Sequence, residues 1–204
     1  MKNLVIVDMQ NDFLDGPLGN EMCRATVPEV VKLIESEKYD WDGIFVTQDT
    51  HFDNYENTLE GRKLPVPHCL FKSDGWKLNR DIEIALFENY EYLPRHVYKP
   101  TFGSHELIQQ IENSIDEWLS DPNGSMDNDK LISRVAATGE SLEFHVCGVC
   151  TSICVLANVV LLRATWPDAK IVIHAKACGD VTEEMHKAAL VCFKSQQCDV
   201  IEDE

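Results

Sequence analysis

Three groups of residues in this 204-residue chain have types and spacings suited to chemistry. The run Gly148-Val149-Cys150-Thr151-Ser152-Ile153-Cys154 reads as a strand end, a tight turn of small residues and a helix start carrying a cysteine. The first N–H groups of a helix lack partners inside it, and its positive dipole end favours the thiolate, the nucleophilic form of cysteine. A second group, Asp49-Thr50-His51 with Glu60 and His68 further along, combines carboxylate and imidazole, good donors for a borderline divalent ion. Asp, His and His leave coordination positions open for water or a substrate atom, unlike a closed structural site. The third group, Asp8 and Lys99, consists of single residues at strand ends, which taken alone also read as a turn aspartate and a solvated lysine.

The thiol has competing readings. Cys154 also fits a small buried residue packing a helix against a sheet. Cys147-Gly148-Val149-Cys150 has the spacing of a redox pair or of half a zinc site, but no second Cys-x-x-Cys exists and Cys147 falls inside an apolar strand. The eight cysteines do not suggest a disulfide scaffold, because the chain is not short and opens on Met1-Lys2-Asn3-Leu4-Val5-Ile6-Val7-Asp8, too brief an apolar run for a secretory signal.

The elements that must position these residues alternate in type. Strands are expected at Leu4 to Val7, Gly43 to Thr47, His96 to Tyr98, Glu143 to Cys147, Ile171 to Ala175 and Asp199 to Ile201. Helical patterns lie between them: Val27 to Lys38 behind a Thr26 cap, Ser104 to Leu119 with Leu107, Ile111, Ile115 and Trp118 on one face, Ile153 to Trp166, and Glu183 to Ser195. Apolar strands separated by helices predict an α/β fold of three layers, α/β/α, around a mostly parallel sheet of about six strands. Ligands of such sheets sit beyond the carboxyl ends of the strands, where Asp8, Asp49, His51, Lys99 and Cys150 to Cys154 all fall. The polar segment Ser120 to Lys130 reads as an exposed loop.

Net charge is −17, which repels nucleic acid and acidic membrane surfaces. No apolar stretch approaches the ~20 residues of a membrane helix. The expected setting is the cytoplasm, with a small-molecule partner and room for a homo-oligomer.

Together these residues resemble the nicotinamidase branch of the isochorismatase-like cysteine hydrolases over essentially the whole chain. Val5-Ile6-Val7-Asp8-Met9-Gln10-Asn11-Asp12-Phe13 is similar to the family's first strand, which ends in a catalytic aspartate followed by Gln-x-Asp-Phe. Asp49-Thr50-His51, Glu60 and Pro67-His68 resemble its metal loop. The resemblance implies one divalent ion on Asp49, His51 and His68, with Glu60 as a fourth ligand found in some members. Zinc is the first expectation, and iron or manganese are the alternatives. Lys99 falls where the family has its catalytic lysine. Gly148 to Val155 resembles the nucleophile turn Gly-Val-Ala-Thr-Asp-x-Cys-Val, making Cys154 rather than Cys150 the nucleophile; Cys150 replaces a common Ala and Ser152 a common Asp.

The same resemblance implies one hydrolase domain over residues 1–204, a cis peptide between Val149 and Cys150, and an oxyanion hole from the amides of Cys150 and Cys154. The implied reaction converts nicotinamide to nicotinate and ammonia through a thioester, with the metal orienting the ring through its pyridine nitrogen. Phe13, Leu18 and Phe102 are candidates for the ring pocket. Two rivals remain open: a hydrolase of another small amide within the family, and a non-catalytic metal or thiol-redox protein using Cys147 and Cys150.

Overall fold

The first strand shows why the fold takes three layers. Leu4, Val5, Ile6 and Val7 of β1 (Lys2–Val7) are all fully buried, which requires cover on both faces of the sheet. Leu4 and Ile6 point into one core layer and Val5 and Val7 into the other, following the two-residue period of a strand. Burying each of these side chains contributes roughly 1.5–3 kcal/mol. The computed structural model describes all residues except 37, 91–93, 121–134, 136 and 203–204.

Five further strands join β1: β2 (Gly43–Asp49), β3 (Arg95–Lys99), β4 (Glu143–Val149), β5 (Lys170–Gly179) and β6 (Asp199–Ile201). They form one sheet in the order β3-β2-β1-β4-β5-β6, and every pairing is parallel. The order reverses direction between β1 and β4, which places a topological switch point beside Asp8. On one face lie α1 (Asn11–Leu14), α2 (Glu21–Ala25), α3 (Val27–Glu35) and, beyond α4 (Leu59–Lys63), α5 (Arg80–Asn89). On the other lie α6 (His105–Leu119), α7 (Leu156–Thr165) and α8 (Glu183–Ser195).

The strands run further than their apolar cores suggest. Asp49 and Lys99 are the last residues of β2 and β3, in direct register with each other, because backbone pairing continues after the apolar run has ended. Ser104 caps α6 by accepting from the Leu107 N–H, and Leu107, Ile111 and Ile115 are buried while Trp118 packs against them in part.

Both boundaries of α3 differ from expectation. Thr26 does not cap α3; α2 leads directly into it, and the Thr26 hydroxyl instead donates to the Cys23 carbonyl at 2.7 Å. That helix ends at Glu35 rather than Lys38, where Ser36 turns extended and the Tyr39 N–H closes a turn on its carbonyl. The polar segment after Ser120 lies outside the described residues. No helix among the described residues is long and apolar enough to cross a membrane.

Candidate active site

Asp8 follows β1 in a left-handed conformation (φ 50°), which aspartate tolerates better than most side chains, and the chain turns sharply out of the sheet there. Its Oδ1 accepts from the Thr47 hydroxyl at 2.7 Å, and its Oδ2 lies 2.6 Å from Lys99 Nζ. Both members of this ion pair are sealed from solvent, at 0% and 1% exposure. Lys99 Nζ also donates to the Thr101 carbonyl at 3.0 Å and stands 3.9 Å from Asp49 Oδ1. The lysine thus joins the Asp8 centre to the Asp49 cluster, so its solvated reading does not hold.

Cys154 reaches the same centre from the next strand. Beyond β4 the chain makes a π-helical turn, Thr151–Val155, in which the Ile153 and Val155 N–H groups both reach the Cys150 carbonyl at 3.1 Å. The expected helix therefore begins at Leu156, and Cys154 sits in the widened turn before it. Its buried thiol stands near enough to the Asp8 carboxylate and Lys99 for both charges to act on it. Burial pushes this thiol well above the ordinary range, opposed by Lys99 and reinforced by Asp8 and Asp49. The helix end therefore does not leave a resting thiolate; burial outweighs the dipole, and the proton stays on sulfur.

Asp8 suits the role of proton acceptor. Burial raises it above the ordinary carboxylate range, against the pull of Lys99. Burial alone would lower Lys99, but Asp8, Cys154 and Asp49 together push it above the usual lysine range, so it stays a cation. The Val149–Cys150 peptide is cis. Gly148 takes φ +122°, and a Cβ there would come within 2.0 Å of the Val7 carbonyl oxygen, so close approach of β4 to β1 demands glycine.

The donor set converges in the next cleft. One ligand atom from each of Asp49, His51, Glu60 and His68 lies within 4.8 Å of all the others. His51 Nε2 is 2.9 Å from Asp49 Oδ2 and 3.7 Å from Glu60 Oε1; His68 Nε2 is 3.4 Å and 3.6 Å from the same oxygens. His68 Nδ1 lies 2.8 Å from the Val66 carbonyl, which assigns its proton to Nδ1 and turns the Nε2 lone pair toward the carboxylates. The buried His51 Nε2 has no hydrogen-bond partner. Lone pairs facing one another at these distances need a shared cation, so the residues fit a divalent metal. Without one, burial raises Glu60, helped by Asp49, while the adjoining His51, His68 and Lys99 overcome burial to hold Asp49 far below the carboxylate range.

Several positioning residues carried no chemical signature in the sequence. Gln10 donates to the carbonyls of Asp49 (2.8 Å) and Trp76 (2.9 Å) and accepts from the Asp49 N–H (2.7 Å). Asp12 Oδ2 accepts from the Cys69 N–H at 2.7 Å, holding the strip that carries His68. The buried Tyr55 ring packs against both imidazoles, with centroids 4.7 Å from His51 and 5.2 Å from His68. Asn158 links the nucleophile turn to the loop after β3, donating to the carbonyls of Cys154 (2.8 Å) and Phe102 (3.2 Å) and accepting from the Ser104 N–H (3.0 Å). Asp180 accepts from the Ser152 N–H at 2.7 Å and its hydroxyl at 3.1 Å, supplying from β5's end a carboxylate at the start of the turn. The only legible trace was the Gln-x-Asp-Phe pattern at Gln10 to Phe13.

Among the suggested pocket residues, Phe13 is buried with its ring edge-on to His68 at 5.4 Å, and Leu18 is half-buried beside the same core layer. Phe102 is 48% exposed, so it stands at a rim rather than in a closed pocket. The Cys147–Cys150 pairing does not form: Cys147 is buried in β4 with its sulfur toward the Val5 carbonyl, whereas Cys150 packs against the core layer that holds α2.

The isochorismatase domain model matches residues 2–204. The chain belongs to the isochorismatase family. Within that family it is 30% identical over 122 residues to the nicotinamidase of Saccharomyces cerevisiae, covering 56% of this chain and 52% of that protein. It thus spans about half the length of that relative. Its fold matches nicotinamidase/pyrazinamidase PncA of Bacillus subtilis with a TM-score of 0.74 at 23% identity, over 98% of this chain and 99% of that one. It also matches a pyrazinamidase of Pyrococcus horikoshii in complex with zinc, with a TM-score of 0.62 at 20% identity over 99% of both chains. For this isochorismatase-family protein the donor set of Asp49, His51, Glu60 and His68 is the candidate metal centre.

Proposed function

We propose that this protein is an amide hydrolase converting nicotinamide to nicotinate and ammonia, and that residues 1–204 act as one hydrolase domain. The carrying observation is one buried constellation: Asp8 paired with Lys99, Lys99 beside the Asp49 cluster, and the buried Cys154 thiol within the influence of both charges of the pair. The nicotinamidase and pyrazinamidase relatives supply the substrate class, and the zinc-bound relative supports zinc as the ion.

In the proposed reaction Asp8 takes the Cys154 proton as the sulfur attacks the carboxamide carbon, so no free thiolate need accumulate against the cost of burial. Backbone amides of Cys150 and Cys154 face the oxygen that gains charge. The carbon–nitrogen bond breaks, Asp8 returns the proton to the departing nitrogen, and ammonia leaves a thioester on Cys154. Water then adds to the thioester carbon while Asp8 accepts its proton; the carbon–sulfur bond breaks, nicotinate departs and the proton returns to sulfur. Lys99 stays protonated throughout, orienting Asp8 and balancing its charge. Asp49, His51, His68 and Glu60 would hold the ion, which supplies an open position for the pyridine nitrogen and so orients the ring.

Ammonia release from nicotinamide by the native protein, by Cys154→Ala and by chelator-treated protein tests this reading. Activity should vanish in the variant and return to the chelated protein with added zinc. Turnover that survives Cys154→Ala overturns the mechanism. Hydrolysis of other small amides but not nicotinamide overturns the substrate and leaves the thioester chemistry standing.

A further inference from the structure

The proposed reaction leaves one side of the molecule without a task. Helix α3 packs on β5 and ends at Glu35, and beside it a recess of about 310 Å3 opens over β5 and the edge strand β6. That volume is in the range of small-ligand pockets. Among the described residues that line it, none belongs to the Asp8 centre or to the metal donors.

Charge sets this recess apart. Lys32 of α3, Lys38 of the chain that follows and Lys176 of β5 line it, against one carboxylate, Glu29, among the described lining residues. The whole chain has 18 basic and 35 acidic residues, so an excess of ammonium groups here runs against the composition. Glu29 accepts from Lys32 at 2.7 Å, which offsets one of the three. Lys38 Nζ stands 5.2 Å from the centroid of the Tyr39 ring, itself a wall of the recess, so an aromatic ring helps to keep that cation in place. Part of the wall is a buried imidazole. His174 is 4% exposed, and its Nε2 lies 2.7 Å from His145 Nδ1, while His145 Nε2 lies 2.9 Å from Glu143 Oε1. This chain of bonds fixes the orientation of the His174 ring.

We propose that the recess binds a small phosphate monoester, its oxyanion held by Lys32, Lys38 and Lys176 and its organic group set against Leu33, Ala177 and Ile201. Lysine is a compact point charge, and three lysines on separate elements suit a tetrahedral oxyanion approached from several directions. A planar carboxylate is better matched by the fork of arginine, and no arginine is among the described lining residues. The volume exceeds that of inorganic phosphate, which leaves room for an apolar group. The inference does not depend on the amide-hydrolase reading, because binding is detected without turnover.

The probe is phenyl phosphate, titrated by calorimetry into metal-loaded native protein, with inorganic phosphate and benzoate as controls for the headgroup and the ring. The expected result is one-site binding of phenyl phosphate, weaker binding of both controls, and slowed amide hydrogen exchange around Lys32 and at His174 to Ala177. Replacing Lys32→Gln together with Lys176→Gln should weaken binding by about tenfold or more and leave nicotinamide turnover as in the native protein. If that variant does not fold, the exchange map of the native protein decides. The proposal is overturned by an absence of binding at millimolar phenyl phosphate, by undiminished binding to the double variant, or by benzoate binding as tightly. Protection confined to the metal donors overturns it too, since the probe then sits on the ion. Native protein that binds the probe here yet is inactive on nicotinamide counts against the proposed function alone.

Discussion

Replacing Lys99 by Met removes one member of a fully buried ion pair and leaves Asp8 as an uncompensated carboxylate beneath the sheet ends. Breaking such a pair from one side costs about 3–5 kcal/mol, a large share of the ~5–15 kcal/mol that stabilises a typical domain. The deficit has a definite pH dependence. Asp8 is already raised by burial, and losing Lys99 removes the largest opposing influence, so the folded variant holds the Asp8 proton more tightly than the unfolded chain does. A group raised on folding contributes stability at low pH that is lost as pH rises through its folded value. The difference between native and variant should therefore shrink on acidification, by up to about 1.4 kcal/mol per pH unit. Urea unfolding of both metal-loaded proteins across about pH 5 to 7.5 measures this, and the comparison cancels protonation of the metal ligands. Turnover should fall by about 10²–10⁴, since a protonated Asp8 cannot accept the Cys154 proton. The double variant Asp8→Asn with Lys99→Met should be more stable than Lys99→Met alone, because no charge is left buried. A single variant within about 1 kcal/mol of native at neutral pH, or a deficit independent of pH, refutes the buried-pair reasoning.

Gln10→Ala strips the Asp49 N–H and two carbonyls of their side-chain partner, so unfolding should cost about 1–3 kcal/mol less, with weaker metal binding by competition against a chelating dye. His51→Ala should abolish stoichiometric metal by elemental analysis, while Glu60→Gln, at the more exposed ligand, should retain the ion with reduced affinity. The Asp49 carboxylate and the Val66 carbonyl, as acceptors, overcome burial to raise His68, so metal affinity measured by titration should weaken as pH falls and His68 holds its proton. Gly148→Ala should give insoluble or unfolded protein, detected by circular dichroism, because no rearrangement short of parting β1 from β4 relieves a 2.0 Å contact with backbone.

Much of this was legible in order and composition. The runs at residues 4–7, 44–47 and 144–147 are buried on both faces, as apolar strands separated by helices called for in a covered parallel sheet. Their carboxyl ends were readable as the place for chemistry, because the connections of a parallel sheet gather its polar turns there. Resemblance to the family's motifs pointed to Asp8, Lys99, Cys154 and the four metal donors, since residues bound to a reacting atom are restricted in type. Residues that serve backbone were not legible: Gln10, Asp12, Asn158 and Asp180 bind N–H and carbonyl groups that every sequence possesses, so nothing in their type marks the task.

The sequence by itself determined which groups were available and which strand ends would carry them. Tertiary structure decided their partners and their protons. Cys150 did not meet the Cys147 suggested by spacing, because that cysteine points back into the β-sheet while Cys150 packs against the layer that holds α2. Cys154 kept its proton, although a helix start favours the thiolate, because burial is set by all the layers around a residue and the dipole by one turn alone. Lys99 became an internal cation only when the order β3-β2-β1 brought its strand end across to Asp8.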